Sequence, residues 1–127
     1  MKVRDILDEH PVTASPDESA GVAWERMRSE EVAHLLVLKD GHVVGIVSRH
    51  DLGGPMGGAH RRMGRRVADL MRRDVVTATP ETSVRRASML MRKHAVGCLP
   101  VMVRNRLVGV IEVAQLLALL EKKLGST

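Results

Sequence analysis

The sequence predicts an α+β protein of two similar units related by a pseudo-twofold axis, each a small three-stranded sheet packed with two helices. The first observation is an internal repeat: residues 3–52 align without a gap with residues 67–116, and sixteen of the fifty positions are identical. The second is that each copy alternates strand-like and helix-like apolar patterns. The third is a hairpin signal in each copy. Because one such sheet leaves apolar surface uncovered, we expect the copies to pack together with a cleft between them.

Each copy opens with a short amphipathic turn, VRDILD in the first and VADLMR in the second. A brief extended segment follows, VTASP or VTATP. Its proline ends the strand because proline has no N–H to donate to a sheet ladder. We therefore expect one short strand before the first helix of each copy.

Apolar residues at helical spacing then predict the first helix of each copy. The positions follow i, i+3, i+4 and i+7, which places them on one face of a helix. They are Ala20, Ala23, Trp24 and Met27 in the first copy, and Val84, Ala87, Ser88 and Met91 in the second. Each helix is expected to pack this largely apolar face on a sheet.

Two apolar runs separated by a tight turn predict a β-hairpin in each copy. HLLVLK and HVVGIVS flank Asp40-Gly41, and CLPVMV and RLVGVI flank Arg104-Asn105. Glycine and asparagine tolerate the positive φ that a two-residue primed turn requires. A closing helix is predicted after each hairpin, and the second copy's helix carries leucines at helical spacing as far as Leu124.

The repeats set the predicted domains, 1–58 and 59–127, with a linker at about residues 53–66. Residues 49–73 hold seven arginines against two aspartates, and 7 − 2 equals the net charge of the chain, +5. We expect the linker to be a solvated connector; the alternative is that its arginines reach the phosphates of a ligand or an acidic partner. Nucleic acid is the least favoured partner because the chain has one tryptophan and no phenylalanine or tyrosine for base stacking.

The N-terminus has acidic residues where a secretory signal needs an apolar stretch, and no apolar run approaches the roughly 20 residues of a membrane span. We therefore expect a cytoplasmic protein that makes no membrane contact. Cys98 is the single cysteine, so it is either a small buried hydrophobe or, as the alternative, a reactive thiol.

Neither catalysis nor metal binding is predicted. The chain has no Gly-x-Ser-x-Gly elbow, no G-x-x-x-x-G-K phosphate loop and no convincing acid–base pair, so we expect no enzyme and no catalytic residue. The histidines lack the i, i+4 pairing and the cysteine companions of a metal site. They stand at positions 10, 34, 42, 50, 60 and 94.

Over residues 3 to about 120 the chain resembles a tandem pair of cystathionine beta-synthase (CBS) domains, also called a Bateman module. The resemblance rests on the opening V-x-D-[IL]-[LM], the V-T-A-x-P strand, the turn into the hairpin and the terminal G-h-h-[ST]-x-x-D. In the family, this Ser/Thr and Asp hold the phosphate and ribose of an adenosine compound, and the adenine lies against the partner repeat. GIVSRHDL keeps both residues, Ser48 and Asp51, whereas GVIEVAQL has Glu112 and Gln115 instead.

Ser48 and Asp51 suit this task chemically. Ser48 is predicted to lie where a strand gives way to a helix, so its hydroxyl and the free amides of the first turn can meet a phosphate. Asp51 lies one turn further on and offers acceptor oxygens to a ribose diol. Ser-x-x-Asp before an apolar run is also a helix capping box that needs no ligand. The two roles can coexist.

The resemblance implies a wider set of site residues. Gly45 would allow close approach of the backbone, Arg49 and His50 would add positive charge near phosphate, and aliphatic groups of the second copy would hold the purine. The implied ligand-binding residues are Gly45, Ser48, Arg49, His50, Asp51, Val76, Thr77, Ala95, Val96, Gly97, Cys98 and Pro100. A degenerate second site is expected at Glu112, Gln115, Thr13, Val32, Ala33 and His34, because a carboxylate at position 112 repels phosphate.

These observations favour a stand-alone regulatory module that forms a homodimer and binds AMP, ADP, ATP or S-adenosylmethionine as a regulatory ligand. Binding would act by conformational change on a separate effector protein, since no effector domain or catalytic cofactor is expected within the chain. The alternative function is a ligand-free homodimeric scaffold whose arginine-rich linker contacts an acidic partner.

Overall fold

The computed structural model describes residues 1–54, 56 and 58–125. Two residues of the predicted linker and the last two of the second repeat lie outside the described residues: Pro55, Gly57, Ser126 and Thr127. The chain forms two compact units: the first unit is residues 11–75, and the second unit is residues 1–10 with residues 76–127. The predicted boundary at residue 58 thus falls inside the first unit, because the opening turn of each repeat belongs with the other repeat's sheet.

The first unit contains the first repeat's strands and the second repeat's opening turn. Its elements are β1 (Thr13–Ala14), α1 (Ala20–Ser29), β2 (His34–Lys39), β3 (His42–Ser48), α2 (Gly58–Arg62) and α3 (Val67–Leu70). The three strands form one sheet in the order β1-β2-β3, with β1 parallel to β2 and β3 antiparallel to β2. Ser19 caps α1 by accepting the Val22 N–H at 3.1 Å.

The second unit begins with a 3-10 turn at Val3–Asp5. Its other elements are α4 (Val84–His94), β4 (Cys98–Val103), β5 (Arg106–Glu112) and α5 (Val113–Leu124). The two strands pair antiparallel. The described helices of the chain do not combine the length and the apolar character that a bilayer crossing demands.

Both hairpins form at the predicted turns. Asp40 and Gly41 have φ values of 51° and 80°, and Arg104 and Asn105 have values of 49° and 66°. All four are left-handed, as a two-residue primed turn requires. Each hairpin also carries a register shift at the same place in the repeat, after Val37 in one and after its counterpart in the other.

The first strand of the second repeat is reduced to a single parallel bridge between Ala78 and Val101. In the first unit, the Leu36 N–H donates to the Val12 carbonyl at 3.2 Å and extends the pairing. The residue that corresponds to Leu36 is Pro100, which has no N–H to donate. The predicted third strand of this sheet is therefore one residue long.

The closing helix predicted after Ser48 is not formed. Only one turn follows β3, closed by a hydrogen bond from the Leu52 N–H to the Ser48 carbonyl at 3.2 Å. Gly53 and Gly54 then take φ values of 98° and 67°, which end the turn because a right-handed helix requires negative φ. The helix that does form in this region, α2, begins at Gly58.

Each unit has its own apolar core, with the opening turn of the other repeat built into it. Val67 and Leu70 are buried with Met27 and Leu35 in the first unit. Val3 occupies the corresponding place in the second unit, beside Leu99. Truncating a fully buried leucine in such a core costs about 2–5 kcal/mol. The exchanged turns are therefore part of each core.

Most described residues of the linker are exposed, as expected for a solvated connector, but Arg61 and Arg62 hold part of it against the first unit. The Arg61 Nε donates to the Asp51 carbonyl at 2.8 Å, and an Arg62 nitrogen donates to the Leu52 carbonyl at 2.9 Å. The Arg62 guanidinium also lies 4.2 Å from the centre of the Trp24 ring. Guanidinium groups stack favourably on aromatic faces, and this contact covers the single tryptophan.

Candidate functional site

Ser48 and Asp51 form a reciprocal pair at the end of β3. The Ser48 N–H donates to Asp51 Oδ2 at 2.9 Å, and the Asp51 N–H donates to Ser48 Oγ at 3.1 Å. This is the capping-box arrangement that the sequence allowed. It caps the single turn after β3, and it leaves the second carboxylate oxygen of Asp51 for another partner.

That partner is Arg72, which no sequence pattern indicated. Its Nε lies 3.3 Å from Asp51 Oδ1, while the Asp51 side chain is 10% exposed and the Arg72 side chain 58% exposed. Arg72 is held beside β3 by two backbone hydrogen bonds with Ile46, of 2.8 and 3.0 Å. A nearly buried carboxylate thus has one charged partner that is itself open to solvent.

Gly45 is required by the chain's own packing. A Cβ at this position would lie 2.6 Å from Met71 Sδ and 2.9 Å from the Arg72 carbonyl oxygen. The backbone that approaches Gly45 closely is therefore the segment that carries Arg72. A role of Gly45 in ligand contact stays a prediction.

His34 lies across the β2–β3 ladder from Ser48. Its side chain is half-buried, and its Nδ1 has no hydrogen-bond partner among the described residues. Burial lowers the pKa of His34, and the nearby Asp51 carboxylate opposes this shift. The imidazole is thus a neutral group beside the serine and the carboxylate, with one ring nitrogen unpaired.

The remaining predicted residues of this region lie at its border. Arg49 is exposed, and its Nε donates to the Val32 carbonyl at 3.2 Å, while its backbone N–H donates to the Ala33 carbonyl at 3.2 Å. His50 is exposed. Thr13 contributes its carbonyl oxygen to an Arg26 nitrogen at 3.0 Å. We name the group His34, Ser48, Asp51 and Arg72 the β3-end cluster.

The second unit repeats this geometry with different residues at the end of β5. The Glu112 N–H donates to Gln115 Oε1 at 2.6 Å, as the Ser48 N–H does to Asp51. The Gln115 amide then donates to the Ile6 carbonyl at 2.7 Å. Asp8 takes the place of Arg72, because it makes the corresponding pair of 2.9 Å backbone hydrogen bonds with β5. We name Asp8, Cys98, Glu112 and Gln115 the β5-end cluster.

The β5-end cluster contains two acidic side chains, Asp8 and Glu112, whose negative charges repel each other. Burial raises the pKa of Glu112, and the Asp8 carboxylate raises it further. Burial, together with the Glu112 charge, also raises the pKa of the Cys98 thiol to about 12. This is the inert buried cysteine rather than a reactive thiol, because the thiolate is the nucleophilic form. A phosphate would be repelled here.

The other predicted ligand-binding residues belong to the second unit. Ala95 ends α4 with a φ of 52°, and the Val96 N–H donates to the Met91 carbonyl at 3.0 Å. The Gly97 carbonyl accepts the Val113 N–H at 3.1 Å. Cys98 and Pro100 are buried, Val76 is half-buried, and Thr77 is exposed. That these residues meet the same ligand as Ser48 and Asp51 stays a prediction.

Arg72 and Asp8 are the residues that sequence reasoning missed. They are counterparts in the repeat alignment, 64 positions apart, and they carry opposite charges. That contrast was visible in the sequence, but its relevance to Asp51 depends on the pairing of each segment with a hairpin edge. Across residues 1–54, 56 and 58–125, no three side chains of His, Cys, Asp and Glu gather as a metal site.

Comparison with known proteins agrees with the duplicated fold. A family model described as "CBS domain" matches residues 3–52 and again residues 67–122. The two matches coincide with the two repeats, and both end beyond the hairpins that carry the clusters.

Solved structures of CBS proteins superpose on almost the whole chain. The CBS domain pair of protein MJ0100, solved in complex with 5′-methylthioadenosine and S-adenosyl-L-methionine, matches with a TM-score of 0.85 and 26% identity, over 97% of this chain and 98% of that one. The CBS-domain containing protein ATU1752 from Agrobacterium tumefaciens matches with a TM-score of 0.83 and 26% identity, over 94% and 98%.

Sequence relatives include both small CBS proteins and enzymes. The CBS domain-containing protein YhcV of Bacillus subtilis is 26% identical over 114 residues, 90% of this chain and 81% of that protein. The homoserine O-acetyltransferase of Methanocorpusculum labreanum is 33% identical over 102 residues, but these are 80% of this chain and 20% of the enzyme. The chain thus spans about a fifth of the length of the enzymes it matches.

Proposed function

The chain belongs to the CBS domain family, and from this premise we propose that it is a regulatory module that senses an adenosine-containing ligand through Ser48 and Asp51. CBS domains act as regulatory modules, and the enzymes among the relatives match this chain over only part of their length. The proposed ligands are AMP, ADP, ATP or S-adenosylmethionine. Support for an adenosyl ligand comes from MJ0100, whose CBS pair was solved with two such compounds.

The observation that carries this proposal is the set of polar groups in the β3-end cluster. A carboxylate, a hydroxyl, a guanidinium and an unpaired imidazole nitrogen lie around the end of one strand. The His34 Nδ1 atom is not engaged by another described side chain or backbone group, so it can take part in a hydrogen bond with a ligand. The cluster therefore offers hydrogen bonds to a polar ligand.

Binding would begin with the exchange of one partner of Asp51. Its contact with Arg72, at 3.3 Å, is long compared with the 2.7–2.9 Å typical of charge-assisted hydrogen bonds. A ribose diol that donates to Oδ1 would replace this contact at small cost. Arg72, more than half exposed, would then be free to meet a phosphate.

A thermal-shift series tests the proposal with a matched control. The full chain is melted with and without AMP, ADP, ATP and S-adenosylmethionine, and so are Asp51→Ala and Gln115→Ala. Both substitutions remove the acceptor of one cap and one further contact, with Arg72 or with the Ile6 carbonyl, and each should cost about 1–2 kcal/mol of stability without ligand. A ligand at about a hundred times its Kd should add about 2.7 kcal/mol, or roughly 10 °C. That rise should vanish only in Asp51→Ala.

The same series distinguishes the proposed ligand sensor from the alternative function, a ligand-free scaffold. If no compound raises the melting temperature of the unmodified chain, the ligand-free scaffold is favoured. If Asp51→Ala keeps the full rise, the carboxylate serves only as a cap and the proposed site is wrong.

The proposed module acts on a separate partner protein as a homodimer joined through α5. Val113, Leu117 and Leu120 are 40%, 56% and 52% exposed, and no described residue of the helix is buried. Such a leucine-rich face is stabilised when a second copy covers it. Sedimentation should show a dimer that Leu120→Glu dissociates and Lys122→Glu does not. A monomeric unmodified chain would rule this out.

A further inference from the structure

A basic groove lies on the first unit, apart from the β3-end cluster. It has a volume of about 620 Å³ and lies between the start of α1 and the segment that follows α2. Its lining residues are Asp17, Ser19, Gly21, Ala59, Arg62, Met63, Gly64, Arg65 and Arg66. The volume is in the range of pockets that bind small molecules or a few side chains.

The lining of this groove carries more positive than negative charge, and the nearby Asp69 carboxylate accepts the Arg66 backbone N–H at 2.8 Å. Asp17 is the one acid in the lining, and its carboxylate lies 3.6 Å from an Arg66 nitrogen, with both side chains strongly exposed. Among the residues that the structure describes, neither Arg62 nor Arg65 forms an ion pair. Three guanidinium groups therefore share one solvated carboxylate.

The second unit has fewer cations for its acid at the same place in the repeat. Glu81 is the counterpart of Asp17, and it contacts both Lys2 Nζ and an Arg4 nitrogen at 2.6 Å. One acid there pairs with two bases. The excess of arginine is thus particular to the first unit and is not a requirement of the repeated fold.

The lining of the groove also includes apolar surface and one arginine that the chain holds in place. Met63 is 74% exposed, and Ala59 and Gly64 add small surfaces beside it. Methionine side chains adapt to varied apolar partners. The held arginine is Arg62, which lies over Trp24 and donates to the Leu52 and Gly54 carbonyls at 2.9 and 3.2 Å.

We infer that this groove binds an acidic peptide segment of a partner protein, in which carboxylates meet Arg65 and Arg66 and an apolar side chain rests on Met63. Guanidinium groups bind carboxylates through paired hydrogen bonds, which gives direction as well as affinity. A peptide fits better than nucleic acid because Trp24 is 8% exposed and already covered, so no aromatic face is open for base stacking.

The test uses fluorescence anisotropy of the full chain with a short labelled peptide of alternating glutamate and leucine. The probes for comparison are its glutamine counterpart and a single-stranded oligonucleotide. Arg65→Glu with Arg66→Glu should weaken binding of the glutamate peptide by about tenfold or more, because two attractive charge pairs become repulsive. Arg85→Glu with Arg86→Glu is the matched control, since it makes the same charge change on α4 and should leave the affinity within about twofold.

Met63→Glu is a second variant that keeps the arginines and places a carboxylate in the groove. This variant should also bind the glutamate peptide more weakly, and added salt should weaken the binding further. The inference is overturned if the glutamine peptide binds equally well, if the α4 control loses as much affinity as the groove variant, or if the oligonucleotide binds more tightly than the peptide.

Discussion

The ends of β3 and β5 occupy the same place in the repeat but carry different charges. At β3, Asp51 accepts the Ser48 N–H and meets the guanidinium of Arg72. At β5, a neutral amide, Gln115, accepts the Glu112 N–H, and the residue equivalent to Arg72 is an aspartate. The main-chain hydrogen bond is kept in both units, whereas the side-chain charges are not.

The difference shows that the main-chain N–H at the end of each hairpin needs an acceptor here but not a charged one. Gln115 fulfils that need without a charge, at 2.6 Å from the Glu112 nitrogen. A nearly buried carboxylate such as Asp51 costs free energy to desolvate, which an uncharged acceptor avoids. Under the proposed function, the charge of Asp51 and its partner Arg72 serves ligand binding rather than folding.

The largest effect is expected when Arg72 of the first unit is replaced by aspartate, the residue type of its counterpart in the second unit, Asp8. Arg72→Asp would place a second carboxylate beside Asp51 and leave that residue without its cation. We expect the free energy of unfolding to fall by about 2 kcal/mol, reduced from the value for a fully buried pair because Arg72 is exposed. Urea denaturation measures this change.

Arg73→Asp is the control for that substitution. Arg73 is the next residue and is exposed, and its one side-chain hydrogen bond among the described residues goes to the Ala68 carbonyl at 3.3 Å, so the same change of charge should cost less than about 0.5 kcal/mol. Equal losses in the two variants would show that Arg72 has no special relation to Asp51.

The two clusters should also respond in opposite directions to pH. The pKa of His34 is lower in the folded chain than in the unfolded chain, so the unfolded chain takes up a proton first as the pH falls. The free energy of unfolding therefore decreases as the pH falls below 6.5, the ordinary pKa of histidine. The pKa of Glu112 is higher in the folded chain than in the unfolded chain, so the folded chain holds this proton to a higher pH. The free energy of unfolding therefore decreases as the pH rises above 4.5, the ordinary pKa of glutamate.

Urea denaturation between about pH 4 and pH 8 separates these contributions. His34→Gln should remove the loss toward low pH, and Glu112→Gln should remove the loss toward high pH, each by at most about 1.4 kcal/mol per pH unit. If the free energy of unfolding of both variants depends on pH as it does in the unmodified chain, the pKa shifts assigned to His34 and Glu112 are wrong.

The smallest effect is expected from Asp8→Asn. The amide keeps an acceptor for the His10 N–H, which Asp8 now accepts at 2.9 Å, but removes the charge that faces Glu112. Stability at neutral pH should rise by a few tenths of a kcal/mol, about the size of a screened surface repulsion. Carbon-detected NMR titration should show a lower pKa for Glu112. A pKa that does not move would mean that burial alone perturbs this carboxyl.

Much of the fold was predictable because its signals are local. The 64-residue repeat, the hairpin turns and the first helices follow from spacing and from residues that tolerate positive φ. Two departures, the one-residue third strand and the missing closing helix, are also local in origin, but each depends on single residues that a spacing pattern does not reveal. Pro100 removes one ladder donor, and Gly53 with Gly54 ends the turn after β3.

The candidate site was predictable only in part. Ser48 and Asp51 lie three residues apart, so their capping geometry follows from the sequence. Arg72 is 21 residues beyond Asp51 and comes to it because the opening turn of the second repeat joins the first unit. Nothing in the local sequence specifies that exchange, so the charged partner emerged only from the structure.

Calorimetric titration tests the central claim most directly. The full chain, Asp51→Ala and Gln115→Ala are titrated with whichever of AMP, ATP and S-adenosylmethionine stabilises the chain most. We expect one ligand per chain, no binding heat in Asp51→Ala and an unchanged Kd in Gln115→Ala. Two equivalent ligands per chain, or equal binding by the chain with and without the Asp51 carboxylate, would contradict the assignment of the β3-end cluster as the ligand site.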